Sequence, residues 1–376
     1  MTGCPSPTGP APLARPTLLP GLRRIWRDRH RLQLGVDPAR AVVLELPDAG
    51  AARLLDLLDG TRSERTVIAH AGRYGIGAAD ARAMLAALRA AGLVLGAQSL
   101  LPHQLPDQVR RRLAGEAAAL ALRGRAPGAG GDPGNGSDQP GTAAQILRRR
   151  ASARVVVTGH GRLAGPVALA LAQSGVGHVW PALGPLPGPA AAGAAAAGPA
   201  GPGPDRRPGP RLAATISRAA PGTRTGPLRR SEASFVVQVG ATGPANLAAA
   251  GFARRRLAHL AVAVRDGTPV IGPLVPPTGG PCLNCVDLHR RDRDPEWPEL
   301  AAQLAQPADD PCAAATLLSA AGLAAGEVLC WLDGGTPATL GASIELTGPG
   351  RLRRRSWPPH PHCSCLRRRP PRPGRA

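Results

Sequence analysis

Four cysteines stand in two close pairs, Cys282-x-x-Cys285 and Cys363-x-Cys365. Thiolates hold zinc at about 2.3 Å in a tetrahedron, and a C-x-x-C turn supplies two neighbouring corners. The second pair is tighter but can supply the other two. The four therefore predict one structural Zn(2+) site that ties the C-terminal segment back to its domain. Four thiolates leave no open position for water, so such a site builds the fold rather than catalyses. The open alternative is a site that has lost one thiolate, or one in which His360 or His362 replaces it. The other cysteines offer less. Cys4 lies in the N-terminal tail and Cys330 reads as core. Cys312 is a weak candidate nucleophile, because a helix N-terminus would lower its pKa while Asp309 and Asp310 would raise it.

The second chemical pattern is a glycine turn. In "RVVVTGHGRLAGPVALALAQSG", Gly159, Gly161 and Ala164 form G-x-G-x-x-A after an expected strand and before an expected helix. Gly159 permits the tight turn, and Gly161 lets the backbone approach a phosphate at the positive helix N-terminus. Ala164 allows close packing of helix on strand. The competing reading is a turn that only shapes the fold.

Composition bounds what these residues can do. The 376 residues carry a formal net charge of +21, and none of the 46 basic residues is lysine. That excludes a Schiff-base lysine and a phosphate-binding P-loop lysine. A lysine-free, Ala/Arg/Gly/Pro-rich usage reflects a GC-rich coding bias, which weakens inference from the charge itself. Aromatics make up 2%, so the core must be built from Ala, Leu and Val. No secretory signal and no membrane-type run is read; the longest apolar stretch, 185–204, is Ala/Gly/Pro. With the paired cysteines, this points to the cytoplasm.

Periodicity and punctuation then divide the chain. Residues 1–20 read as a disordered tail and 21–96 as a first domain: two strands about a turn at Asp37-Pro38, three helices, and a short final strand. That order suggests a winged-helix-like unit. Residues 97–150 read as a flexible linker. A second domain covers 151–366, with a disordered insert at 181–211, and 367–376 is a basic tail. Strands alternating with helices predict an α/β fold with a doubly wound, largely parallel sheet. A hairpin is expected at Asp266-Gly267, and a long apolar helix after Cys312.

The turn at Gly159, with Gly165-Pro166, Gly175-Val176-Gly177 and "GTPVIGPLVPPTGGPCLNC", resembles the ThiF-type superfamily, which includes the ubiquitin-activating enzymes. The resemblance spans most of 151–366. It implies a Rossmann-like ThiF-type sheet with a Cys4 zinc clamp, a nucleotide site at Gly159, Gly161 and Ala164, and a homodimer. Adenylating members place an acid after the second strand and use a lysine and a later Asp on ATP. This chain has no lysine, and Trp180-Pro181-Ala182 and Gly240-Ala241-Thr242-Gly243 carry no acid, so ATP and Mg(2+) are not expected as cofactors.

"LPGLRRIWRDRHRLQLGVDPARAVVLEL…LLDLLDG" resembles the PqqD-like domains that bind a leader peptide as an added strand. The resemblance implies peptide binding along 32–36 and 42–46, at Leu32, Leu34 and Val36, and along a helix at Leu54 and Leu58. The pairing of the two domains resembles actinobacterial proteins of thiazole/oxazole peptide biosynthesis. It implies a leader-binding scaffold that presents the precursor to a YcaO-type cyclodehydratase. Two alternatives stand: an active ThiF-type adenylyltransferase, and a winged-helix DNA-binding regulator using Arg23, Arg24, Arg27, Arg29 and Arg31 on phosphates.

Overall fold

The computed structural model describes residues 13–38, 41–123, 141–183, 208–229, 231–240, 245–304 and 311–365. The chain divides into two compact units, one through Leu147 and one from Arg148.

The first unit opens with β1 (Pro16–Leu18), β2 (Arg24–Trp26), β3 (Arg31–Leu34) and β4 (Val42–Glu45). A 3₁₀ helix, Ala49–Leu57, follows; Asp48 caps it by accepting from the Ala51 N–H. Next come α1 (Glu64–Ala71), capped by Ser63, then α2 (Ala78–Ala90) and β5 (Val94–Gly96). β2, β3 and β4 form an antiparallel meander with β3 in the middle. Leu32, Leu34 and Leu44 point from this meander onto Leu54, Leu55, Val67, Leu85 and Leu88.

The expected tail and linker are partly ordered. β1 lies in the stretch read as tail, yet it pairs antiparallel with β5. The stretch read as linker contains α3 (Ala97–Leu100), α4 (Asp107–Arg123) and α5 (Ala143–Ser152). Leu113, Ala117 and Leu120 recur at helical spacing on α4 and pack with Leu19, Leu100, Ile146 and Leu147. The Gly/Pro-rich composition of 124–140, which lie outside the described residues, outweighed that stripe in the sequence reading.

The second unit is built on β6 (Arg154–Gly159), α6 (Ala164–Gln173), β7 (His178–Leu183), α7 (Pro208–Ala219), β8 (Phe235–Val239) and α8 (Ala245–Arg254). β9 (Ala258–Arg265), β10 (Thr268–Val275), α9 (Leu283–Arg291), α10 (Trp297–Leu304), α11 (Ala314–Asp333), β11 (Ala342–Gly348) and β12 (Arg351–Ser356) follow. The sheet order is β12-β11-β10-β9-β8-β6-β7. β7, β6, β8 and β9 run parallel, and β9 to β12 alternate antiparallel. The β9–β10 hairpin turns at Asp266 (φ 47°) and Gly267 (φ 78°), as expected. Both ends of the stretch expected as an insert, 181–211, are regular structure, because β7 extends to Leu183 and α7 begins at Pro208; 184–207 lie outside the described residues.

Side-chain alternation along the strands divides the core between the two faces of this sheet. On one face Val155, Val157, Phe235, Val237 and Leu260 meet α6, α7 and α11. On the other, Val156 and Val236 share a smaller cluster with Phe252 of α8. α11 is long and apolar enough to cross a membrane by length and composition. In this fold Leu317, Ala320, Ala321, Ala324, Ala325 and Val328 on it belong to the core. Tightly packed small residues replace aromatics there, because Ala lets α11 and α6 approach closely.

Candidate functional site

The four cysteines come together. Cys282 is the N-cap of α9, and its carbonyl accepts from the Val286 N–H, which sets Cys285 one turn on. The chain returns after β12 to place Cys363 and Cys365 against this turn. Sγ–Sγ distances are 3.9 Å for 282–285, 3.6 Å for 282–363 and 3.3 Å for 285–365. All four sulfurs lie within 4.8 Å of one another. A tetrahedron of Zn–S bonds of about 2.3 Å has edges of about 3.8 Å, so the donor set fits the ion. Cys282, Cys285 and Cys363 are buried. The thiol of Cys282 donating to Cys285 pulls Cys285 down to about 4 and holds Cys282 up. Burial, followed by the contact with Cys285, pushes Cys365 up to about 12. Full ionisation of the four needs a cation among them.

Neither candidate histidine replaces a thiol. His360 is buried and engages Asp292 through Nε2 at 2.7 Å, while its Nδ1 accepts from the His362 N–H. His289 donates from Nε2 to the Pro358 carbonyl, and Trp357 donates from Nε1 to Ser343 Oγ. Asn284 donates to the Cys363 sulfur at 3.2 Å. These residues brace the returning segment on α9, and the sequence reading missed them. The i, i+3 spacing of His289 and Asp292 on one helix face was the available signal, but their partner is 68 residues from Asp292.

The glycine turn takes the expected form. Gly159 has φ 104°, and a Cβ there would lie 2.0 Å from the Val239 carbonyl oxygen. Gly161 has φ 117°. His160 donates its N–H to the Val239 carbonyl at 3.0 Å, and Ala164 is buried at the start of α6. Gly159, Gly161 and Ala164 therefore meet at the C-terminal ends of the parallel strands. Arg162, within the turn, donates to the Cys312 carbonyl at 2.9 Å, which brings half-buried Cys312 to the same end of the sheet. Cys330 is half-buried near the C-terminus of α11.

The positions expected to bind a peptide lie in the first unit. β3 (Arg31–Leu34) is flanked on both sides, so Leu32 and Leu34 lie on no free strand edge. Leu32, Leu34, Leu54 and Leu58 are core residues, buried because the meander needs that leucine layer against the helices, and Val36 is exposed. The outer strands of the meander are β2 and β4. Two arginines of the basic strip are already paired, Arg24 with Asp56 and Arg31 with Asp28.

No family model matches the sequence, and no curated protein matches it. Solved structures do. The chain aligns with E. coli MccB bound to AMPCPP and MccA at 13% identity and a TM-score of 0.55, covering 93% of this chain and 99% of that one. With E. coli MccB bound to ATP the values are 15% and 0.54, with the same coverage. A heterocyclase in complex with substrate and cofactor aligns at 14% and 0.52, over 91% of this chain and 38% of that one. These likenesses show the fold, a Rossmann-like sheet of the ThiF type. The cysteine cluster that could hold a metal ion such as zinc is this chain's own observation.

Proposed function

We propose that this chain is a ThiF-like protein of ribosomal peptide maturation that binds a precursor's leader and presents it to a separate YcaO-type cyclodehydratase. The observation that carries the scaffold reading is the chemistry missing around an intact glycine turn. Residues 139–204 and 233–265, which include all of β6, β7 and β8, contain no Asp or Glu, and the chain has no lysine. Activating ATP needs carboxylate-held metal and cationic groups on the phosphates. Arg162, the cation within the turn, is engaged with Cys312. Gly159, Gly161 and Ala164 then serve the fold.

The leader joins the outer edge of β4, whose Val43 is exposed, rather than the enclosed β3. The MccB structures with MccA and the heterocyclase with substrate support a peptide partner. The cysteine cluster holds zinc as a structural clamp, and the protein works in the cytoplasm as a homodimer.

A second reading, an active adenylyltransferase, is favoured by the intact turn and by the ATP-bound MccB neighbour. Calorimetry with the cognate precursor, paired with ATP–pyrophosphate exchange, separates the two. Leader binding at tens of micromolar or tighter without exchange is the expected result. Exchange that needs the precursor establishes the second reading, and absence of leader binding removes the first.

A further inference from the structure

Arginines gather on the face of the second unit's sheet that lies away from α11. Ile344 and Leu346 of β11 belong to the α11 core, so Glu345 between them points to the opposite face. Arg353 of β12 pairs across from Glu345, and Arg355 stands two residues on along the same face. Arg290, in the last turn of α9, comes within reach of this group: the charges of Arg265, Arg293, Asp287 and Glu345 all act on it. The two carboxylates are already engaged. Glu345 meets Arg353 at 2.9 Å and Arg355 at 2.7 Å. Asp287 accepts from Trp297 Nε1 at 2.6 Å.

Arg290 is held rather than loose. Its guanidinium carbon lies 4.8 Å from the centroid of the Trp297 ring and 5.9 Å from that of Trp357. The guanidinium carbon of Arg293 is also 5.9 Å from Trp357. Contact with two indoles restricts the Arg290 side chain without using its N–H groups. Its nitrogens make no hydrogen bond or ion pair among the described residues, yet none of them is a buried unsatisfied atom, so they reach the surface. Burial, followed by the charge of Arg265, holds its pKa down at about 10. A half-buried cation among like charges is costly until an anion completes it.

We propose that Arg290 and Arg293 form, beside Trp357, a binding site for a tetrahedral phosphate dianion, either free phosphate or a phosphomonoester. Two guanidiniums with unused donors call for a compact, doubly charged group with at least three acceptor oxygens, and a single carboxylate has neither the charge nor the oxygens. The site is distinct from the glycine turn. Gly159 pairs with Val239 and Val239 with Val262; the next residue, Ala263, pairs with Val270, and Val270 with Glu345. The strand spacings between Gly159 and Glu345 add to roughly 19 Å. The proposed leader edge lies in the other unit, so the test of this site leaves that reading untouched.

The experiment uses the full chain with its metal, at an ionic strength held constant with chloride, and three probes: inorganic phosphate, phenyl phosphate and acetate. Calorimetry should show saturable binding of both phosphates at roughly 1 mM or tighter, with acetate weaker by about tenfold. The tighter phosphate names the source, free anion or monoester. Tryptophan emission should change on phosphate binding, because Trp297 and Trp357 touch the guanidiniums. Arg290→Gln and Arg293→Gln should each weaken phosphate binding by about tenfold, since each removes a charge-assisted contact. Arg73→Gln, an exposed arginine of the first unit, should leave it unchanged. Metal content and thermal midpoint report whether each variant folds; if Arg290→Gln does not, the exposed Arg293→Gln decides. No saturable phosphate binding overturns the proposal. So does binding that neither variant weakens, which would place the anion elsewhere, the glycine turn included. Weakening by Arg73→Gln to the same extent, or acetate binding as tightly as phosphate, marks general charge attraction and overturns it as well.

Discussion

Arg150 grips Asp333 with two parallel hydrogen bonds, Nε to Oδ1 at 2.7 Å and Nη2 to Oδ2 at 2.6 Å. The same guanidinium donates from Nη1 to the Ser174 carbonyl. The Arg150 side chain is 1% exposed, so its charge is neutralised by geometry rather than by water. The pair joins the end of α5 to the last residue of α11. Removing one partner of such a buried pair strands the other. Asp333→Ala should lower unfolding free energy by about 3 kcal/mol, and adding Arg150→Leu should restore part of it. Urea denaturation of the two variants measures both changes.

The cysteine cluster makes a stoichiometric prediction. Elemental analysis should find one zinc per chain, and Cys285→Ser or Cys363→Ser should lose it together with several degrees of thermal midpoint. His360→Ala should keep the metal but weaken its retention by about tenfold against a competing chelator, because the imidazole orients the returning segment without being a ligand.

At the glycine turn two substitutions should differ. Alanine at Gly159 would drive its Cβ into the Val239 carbonyl at 2.0 Å, whereas at Gly161 the nearest atom, Val239 Cγ1, is 3.5 Å away. Gly161→Ala carries only the cost of its positive φ, about 1–2 kcal/mol. Gly159→Ala should cost more than twice that, or prevent folding, as chemical denaturation would report.

His259 gives a pH signature. Its pKa falls from 6.5 to about 4 because burial disfavours the charged ring. Between those values the unfolded chain binds a proton that the folded chain refuses. Stability should therefore be complete above about pH 7 and decline as pH falls from 6.5 towards 4, by about 3 kcal/mol in total. Denaturation across this range should show the slope in the native chain and lose it in His259→Phe.

Much of the chemistry was legible because it is local. The glycine turn requires residues three to five apart, and its backbone angles follow from which residues lack a Cβ. The C-x-x-C and C-x-C pairs announce by spacing a thiol cluster that could hold a metal ion, and Asp266-Gly267 marks the hairpin. The α4 stripe was also present in the sequence, but it stood beside a low-complexity stretch of opposite character. Leu32 and Leu34 were read as peptide contacts from the resemblance to leader-binding domains, and a resemblance in sequence does not say what covers the face on which these leucines lie. Only the packing of Leu32 and Leu34 on Leu54, Leu55, Val67, Leu85 and Leu88 shows that the cover is this chain's own helices.

The linear order of residues by itself determined the strand–turn–helix at Gly159, the two thiol pairs, and the lack of lysine and of strand-borne carboxylates. These follow from residue type and short-range geometry. Tertiary structure alone decided that β3 is central rather than an edge, that His360 braces α9 through Asp292, and that His259 lies buried against Phe252 with an Nε2 that finds no partner among the described residues. Each of these depends on packing between segments far apart in the chain, where the energy of contact is set by three-dimensional neighbours and leaves no periodic trace in the sequence.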